Sequence, residues 1–338
     1  STNPVATIFA WSGAFRKRGE MDGLEKLCDY ADKLEQATID TIESGIMTKD
    51  LSAITTLSNA QTVTSEEFLS AIRSRLEALS VLRAGNTTLE DGKVRICVPI
   101  AYETENEILE ESVRIGKSSV ADIAEWRIDW YQDVFQPRKR NALAKKIRKN
   151  LQGKPLLVTF RSRREGGERD ITPTAYQALL DEIIESNSIE SKVVDLLDVE
   201  LSQGMACVQE LIKHAHQMGI GVIVSQHDFK KTPEASNLIT TMEQMAGYGA
   251  DVCKIAVMPQ SLADVAALLL ATGTMKENHP ETLLITMSMG RTGCVSRLCG
   301  GLFGSVMSFG SMGKASAPGQ VSAKELSDVL WAIERAVE

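Results

Sequence analysis

Lys254 sits inside an apolar run, Val252-Cys253-Lys254-Ile255-Ala256-Val257. A lysine bounded by apolar strand residues is neutralised, paired, or aimed into an opening. Burial disfavours the ammonium and leaves an amine able to attack a carbonyl. The competing reading is a strand-end lysine whose head reaches back to water, and Lys254 alone does not decide between the two. His227, in Ser225-Gln226-His227-Asp228, ends the preceding run. A general base for an iminium-activated carbon belongs at that place, although a histidine can also simply cap a loop. Glu125 and Arg127, two residues apart, share one side of a strand. Arg161, Glu165 and Arg297 follow other apolar runs. Guanidinium groups hold carboxylates bidentately, and carboxylates orient hydroxyls or balance arginines. The set suits an acid bearing hydroxyls and a ketone, while as salt-bridge partners the same residues need no ligand.

The elements that must position these residues recur from about residue 80 onward. Short apolar runs stand at Arg95–Pro99, Ile123–Ile128, Leu156–Phe160, Val193–Leu197, Gly221–Ser225, Val252–Ala256, Leu283–Met287 and Gly304–Phe309. Amphipathic segments follow most of them, among them Thr172–Glu185, Met205–Met218 and Ser261–Ala271. Repeated β–α units of this kind predict an α/β fold, a (β/α)8 TIM barrel, with reacting groups at the C-terminal ends of the strands. A doubly wound open sheet is the rival, but no GxGxxG or GxxxxGK[ST] follows any run. Val81–Ala84 and Thr88–Leu89, divided by Gly85-Asn86, predict a small hairpin covering one end of the barrel. Residues 1–78 read as a mostly helical segment distinct from the barrel domain at 79–338. Leu24–Ile42 has helical spacing, and Thr64-Ser65-Glu66-Glu67 caps a second helix over Phe68–Leu79. Leu51–Thr64 between them is polar and irregular.

A formal charge of −8 over 338 residues argues against a nucleic-acid partner. Arg138 to Lys149, the one basic stretch, reads as a solvated helix face. No apolar run has the length of a membrane span, so no membrane partner is expected. The six cysteines show no zinc-ligand spacing, a pattern that suits a reducing cytoplasm. With only four histidines, a histidine-based metal site is not expected.

Several motifs in order resemble the type I 3-dehydroquinate dehydratases over residues 80–338: ICVPI (Ile96–Ile100), EWRIDW (Glu125–Trp130), TFRSRREGG (Thr159–Gly167), SQHDF (Ser225–Phe229), GADVCKIAVMP (Gly249–Pro259), TMSMGRTGCVSR (Thr286–Arg297) and ASAPGQ (Ala315–Gln320). The resemblance implies a lyase of aromatic amino acid biosynthesis without metal or organic cofactor. It would convert 3-dehydroquinate to 3-dehydroshikimate and water in the shikimate pathway, through a Schiff base on Lys254. It further implies that His227 forms the Schiff base and moves the protons, and that Glu165 orients His227. Arg297, Ser316 and Gln320 would hold the substrate carboxylate, Glu125, Arg127 and Arg161 would meet the ring hydroxyls, and the enzyme would be a homodimer. Another Schiff-base barrel of the class I aldolase type, or a non-catalytic scaffold, are the alternatives.

The first 77 residues lie outside that pattern. STNPVATIFAW at the start and TIESGIMTKDL at Thr41–Leu51 resemble the C-terminal part of NADP-dependent isocitrate dehydrogenases. By that resemblance Asn3 would lie near the adenine of NADP. The phosphate-binding loop and the isocitrate and metal ligands of that family are not among these residues, so no dehydrogenase activity is expected. An engineered fusion, a trimmed natural fusion or a rearranged gene product would account for a chain that starts within such a pattern.

Overall fold

The computed structural model describes residues 4–78, 81–188, 192–313 and 319–337. They fall into two compact units, Ser1–Leu82 with His279–Glu281, and Arg83–Asn278 with Thr282–Glu338. No helix among the described residues is long and apolar enough to cross a membrane.

The first unit contains α1 (Val5–Asp22), α2 (Glu25–Glu43), β1 (Ile46–Thr48), α3 (Lys49–Ser52), β2 (Gln61–Val63) and α4 (Ser65–Ala78). Arg16 on α1 ties to α2 by bonds to Asp32 (2.9 Å) and Glu35 (2.6 Å). The predicted cap of α4 is present: Thr64 Oγ1 accepts the Glu67 N–H, and the Glu67 carboxylate accepts the Thr64 N–H. Ala37, Phe68 and Ile72 form a small core. The polar stretch after α2 is not wholly irregular, because β1 and β2 pair in parallel with Ile46 opposite Gln61. Strands of three residues are too short to display a period of two.

The second unit opens with a hairpin whose first strand straddles the division between units, β3 (Val81–Ala84) and β4 (Thr87–Glu90). Gly85 at its turn has φ 56°, and a Cβ there would lie 3.0 Å from the Gly153 carbonyl, in the loop entering a barrel strand. The hairpin thus lies against the N-terminal end of the barrel, opposite the end where chemistry is expected.

The barrel elements are β5 (Arg95–Ile100), α5 (Glu105–Lys117), β6 (Ile123–Arg127), α6 (Pro137–Asn150), β7 (Leu156–Thr159), α7 (Pro173–Ile184), β8 (Leu196–Glu200), α8 (Met205–Gln217), β9 (Gly221–Asp228), α9 (Ala235–Gly247), β10 (Val252–Val257), α10 (Leu262–Asn278), β11 (Leu283–Ser288), α11 (Cys294–Cys299), β12 (Met307–Ser311), β13 (Val321–Ser322) and α12 (Ala323–Val337). Strands β5 to β11 pair in sequence, all in parallel, and β12 returns to β5. The ring closes where the Val306 N–H donates to the Leu284 carbonyl at 2.8 Å, so eight strands form a (β/α)8 barrel. Each strand sends alternate residues outward under the helices. Cys253, Ile255 and Val257 of β10 join the apolar layer, and so do Leu197 and Val199 of β8. Lys254 and Ala256 therefore face the barrel axis.

Two expectations need correction. The fourth barrel strand begins at Leu196, not Val193, so it carries Asp198 and Glu200. The backbone of Val193 and Val194 is held instead by the Asn187 side chain, whose Oδ1 accepts both N–H groups and whose amide donates to the Val194 carbonyl. The basic helix α6 is also not a uniformly solvated face. Arg140 is buried and donates to the Val134 carbonyl and to Glu182.

Candidate active site

A cavity of about 150 Å3 opens at the C-terminal ends of the strands. At about 30 Å3 per water, roughly five waters fill such a space, which suits one ring-sized molecule. Glu125, Arg127, Arg161, Glu165, His227, Lys254, Arg297 and Gln320 all line it, with Phe229, Ala256, Met287, Met289 and Phe309 supplying an apolar wall. Residues taken from seven separate stretches of sequence thus meet at one place. Ser316 and Asn3 lie outside the described residues.

Lys254 is buried, with Nζ 3.1 Å from Asp198 Oδ2, 3.7 Å from Glu125 Oε1 and 4.6 Å from the centre of the Phe309 ring. It does not snorkel to water. Asp198 Oδ1 accepts from Arg161 (2.7 Å) and from Ser225 Oγ (2.6 Å). Burial alone would raise the Asp198 pKa, but Arg161 and Lys254 outweigh it and hold the carboxyl below its usual range. Arg161 also donates to Glu200 and Ser225, at 3.1 and 3.0 Å. Burial would lower its pKa, yet Asp198, Glu200 and Glu165 together push it above the ordinary guanidinium range. Arg127 is locked bidentately on Asp129 at 2.8 Å for both bonds, and Asp129 also accepts the Arg161 and Glu168 N–H groups.

His227 Nδ1 and the His227 N–H each lie 3.1 Å from Glu165 Oε2. Burial, then Arg161 and Lys254, depress the imidazole pKa well below its usual value, so the ring is neutral near pH 7. An ionised Glu165 accepts from Nδ1–H, which leaves the Nε2 lone pair as the base. Burial pushes the Glu165 pKa up to about 7 against the opposing pull of Arg161. The turn that presents Glu165 is fixed by two glycines. A Cβ on Gly166 would meet the Phe229 ring at 2.3 Å, and one on Gly167 would meet the Arg161 carbonyl at 1.8 Å. Below pH 7 Glu165 gains a proton and no longer enforces the Nδ1–H tautomer, so kcat/KM should fall as pH drops through about 7. Glu165→Gln should flatten this acid limb. A limb that stays at the same pH in the variant assigns it to another group.

Among the described residues, Arg297 is the cavity cation left without a counter-charge. It is buried, and among the described residues Nε and Nη2 have no hydrogen-bond partner and Nη1 meets only the Met287 sulfur at 3.4 Å. Burial pushes its pKa down to about 10. Unsatisfied buried donors beside an open cavity make an anion site, and the guanidinium fork fits a carboxylate.

An amine flanked by carboxylates, a neutral imidazole with a fixed tautomer and an unsatisfied guanidinium equip one cavity for carbonyl chemistry on an acid. Sequence reasoning had missed Asp129, Asp198 and Glu200. Asp129 stands two residues after Arg127 and was available as its partner. Asp198 and Glu200 were hidden by the misplaced start of β8.

A family profile described as type I 3-dehydroquinase matches residues 96–336. The 3-dehydroquinate dehydratase of Klebsiella pneumoniae is 45% identical over 245 residues, covering 72% of this chain and 95% of that protein. That of Clostridium botulinum is 42% identical over 250 residues, 74% of this chain and 96% of that protein. The solved type I 3-dehydroquinate dehydratase of Clostridium difficile, with covalently modified comenic acid, superposes with a TM-score of 0.72. It is 39% identical, covering 76% of this chain and 98% of that one.

Proposed function

As this chain belongs to the type I 3-dehydroquinase family and catalyses the dehydration of 3-dehydroquinate, we propose that its reaction runs through a Schiff base on Lys254. Nζ attacks the ketone carbon, and the carbinolamine loses water to give an iminium. This cation draws electrons from the neighbouring C–H bond, His227 removes the proton, and an enamine forms. His227 then returns the proton to the departing hydroxyl, which leaves as water. A second water hydrolyses the new iminium, releasing 3-dehydroshikimate and restoring the amine. Arg297 and Gln320, with Ser316, hold the substrate carboxylate, and Glu125 and Arg127 face the ring hydroxyls. Arg161 serves them by ordering the carboxylates around Lys254, since Nη1 and Nη2 already donate to Glu200, Ser225 and Asp198.

The observation that carries this reading is the placing of Lys254 and His227 on adjacent strands around one cavity, with His227 paired in register to Ala256. The Clostridium difficile relative, solved with covalent modified comenic acid, also supports it. Borohydride reduction in the presence of 3-dehydroquinate, followed by intact mass and peptide mapping, tests it. A stable adduct on Lys254 is the expected result. Product formation without any adduct would keep the reaction and overturn the Schiff-base route.

The same proposal includes a homodimer working in the cytoplasm, which sedimentation velocity and cell fractionation check. Residues 1–77 we assign to an isocitrate dehydrogenase-like fragment without activity of its own, on the strength of its two motifs. A titration showing NADP binding would contradict that assignment.

A further inference from the structure

Resting on the Lys254 iminium, we infer that Asp198 is the positioning residue and counter-ion of that cation, clamped by Arg161 and Ser225 so that its second oxygen faces Nζ. The two oxygens of Asp198 are unequal. Oδ1 is occupied by Arg161 at 2.7 Å and Ser225 at 2.6 Å, and Oδ2 is left for Lys254 at 3.1 Å. Asp198 is wholly buried on a barrel strand whose neighbouring side chains, Leu197 and Val199, pack outward, so the carboxylate has no other direction to take. Glu125 does not compete for the role. Its Oε1 is 3.7 Å from Nζ and already accepts from Thr159 at 2.9 Å.

Ammonium and protonated iminium carry their positive charge on the same nitrogen, so one fixed carboxylate serves both. In the iminium the single N–H remains on the Asp198 side, which turns the C=N carbon toward the cavity and His227. Misplacing reacting atoms by an ångström costs on the order of 100-fold in rate. The pair is faced by Glu125 and Arg127 from β6, Arg161 and Glu165 from the end of β7 and its turn, and Glu200 from β8 itself. His227 on β9 is neutral near pH 7, and burial keeps the Cys97 thiol on β5 protonated. All of these persist when Asp198 alone is changed.

The test is the pH profile of kcat for Asp198→Asn beside the native chain, with borohydride trapping on both. Removing the anion lowers the pKa of the iminium, so the alkaline limb of kcat should move down by about one to three pH units. The value of kcat at neutral pH should drop about 100-fold, with KM changed only a few-fold. A folded Asp198→Asn whose limb stays in place overturns the inference. If that variant does not fold, Ser225→Ala decides, because it keeps the charge but frees one anchor. A smaller shift in the same direction supports the inference, and an unmoved limb overturns it. Absence of an adduct in the native chain would sink the Schiff-base reading itself, whereas an adduct with unmoved limbs sinks only the role of Asp198.

Discussion

Replacing Lys254 with methionine should abolish dehydration, lowering kcat by about 10^5-fold or more, and should also destabilise the fold. The first effect follows from chemistry. No other amine lines the cavity among the described residues, so no covalent electron sink can form, and removing a nucleophile that acts with its base as a unit commonly costs this much. The second follows from charge. Glu125, Glu165, Asp198 and Glu200 converge here on Lys254 and Arg161. Methionine keeps most of the lysine volume, so little cavity opens and the loss is electrostatic. Breaking one partner out of a buried pair costs about 3–5 kcal/mol. Asp198 keeps Arg161 and Ser225, and Glu125 keeps Thr159, which places the expectation near 3 kcal/mol. Denaturant unfolding with unchanged m would measure it. A variant as stable as the native chain would mean that the carboxylates take up protons when the lysine is gone.

How much of this was legible in the sequence depends on what carried the signal. The barrel was visible because its β–α alternation repeats. Lys254 was visible because a charge inside an apolar strand run contradicts its surroundings. The start of β8 was not visible, because Val193 and Val194 are as apolar as strand residues. Their backbone is satisfied by the amide of Asn187, a contact that no periodicity encodes. A strand read as Val193–Leu197 ends before Asp198 and leaves it out, whereas the strand Leu196–Glu200 carries it. The parallel pair of β1 and β2 escaped for a different reason: its pairing joins residues about fifteen apart across a polar loop. Arg161 was legible as a site residue but not in its role, because only the three-dimensional arrangement reveals that Nη1 and Nη2 donate to Asp198, Glu200 and Ser225.

Arg297→Met should separate stability from function, making the unliganded protein more stable while crippling substrate binding. The native residue is 2% exposed, and among the described residues Nε and Nη2 are unsatisfied and only a sulfur lies near Nη1. Burial holding its pKa down at about 10, below the ordinary guanidinium range, reflects how poorly the folded protein tolerates that charge. At neutral pH the arginine is charged in both states, so the folded state carries a cost on the order of 3 kcal/mol. That cost fades only as pH rises from about 10 toward the unfolded value. Methionine removes the charge and retains the packing against Met287, so part of the cost should return as a higher unfolding midpoint. Substrate binding should move the other way. A buried guanidinium facing a carboxylate contributes about 2–4 kcal/mol to the complex, which is roughly 30- to 1,000-fold in KM. A substrate analogue without the carboxylate should bind both forms alike. If Arg297→Met instead lowers the unfolding midpoint while KM stays unchanged, the guanidinium is a structural donor and the carboxylate is held by other groups.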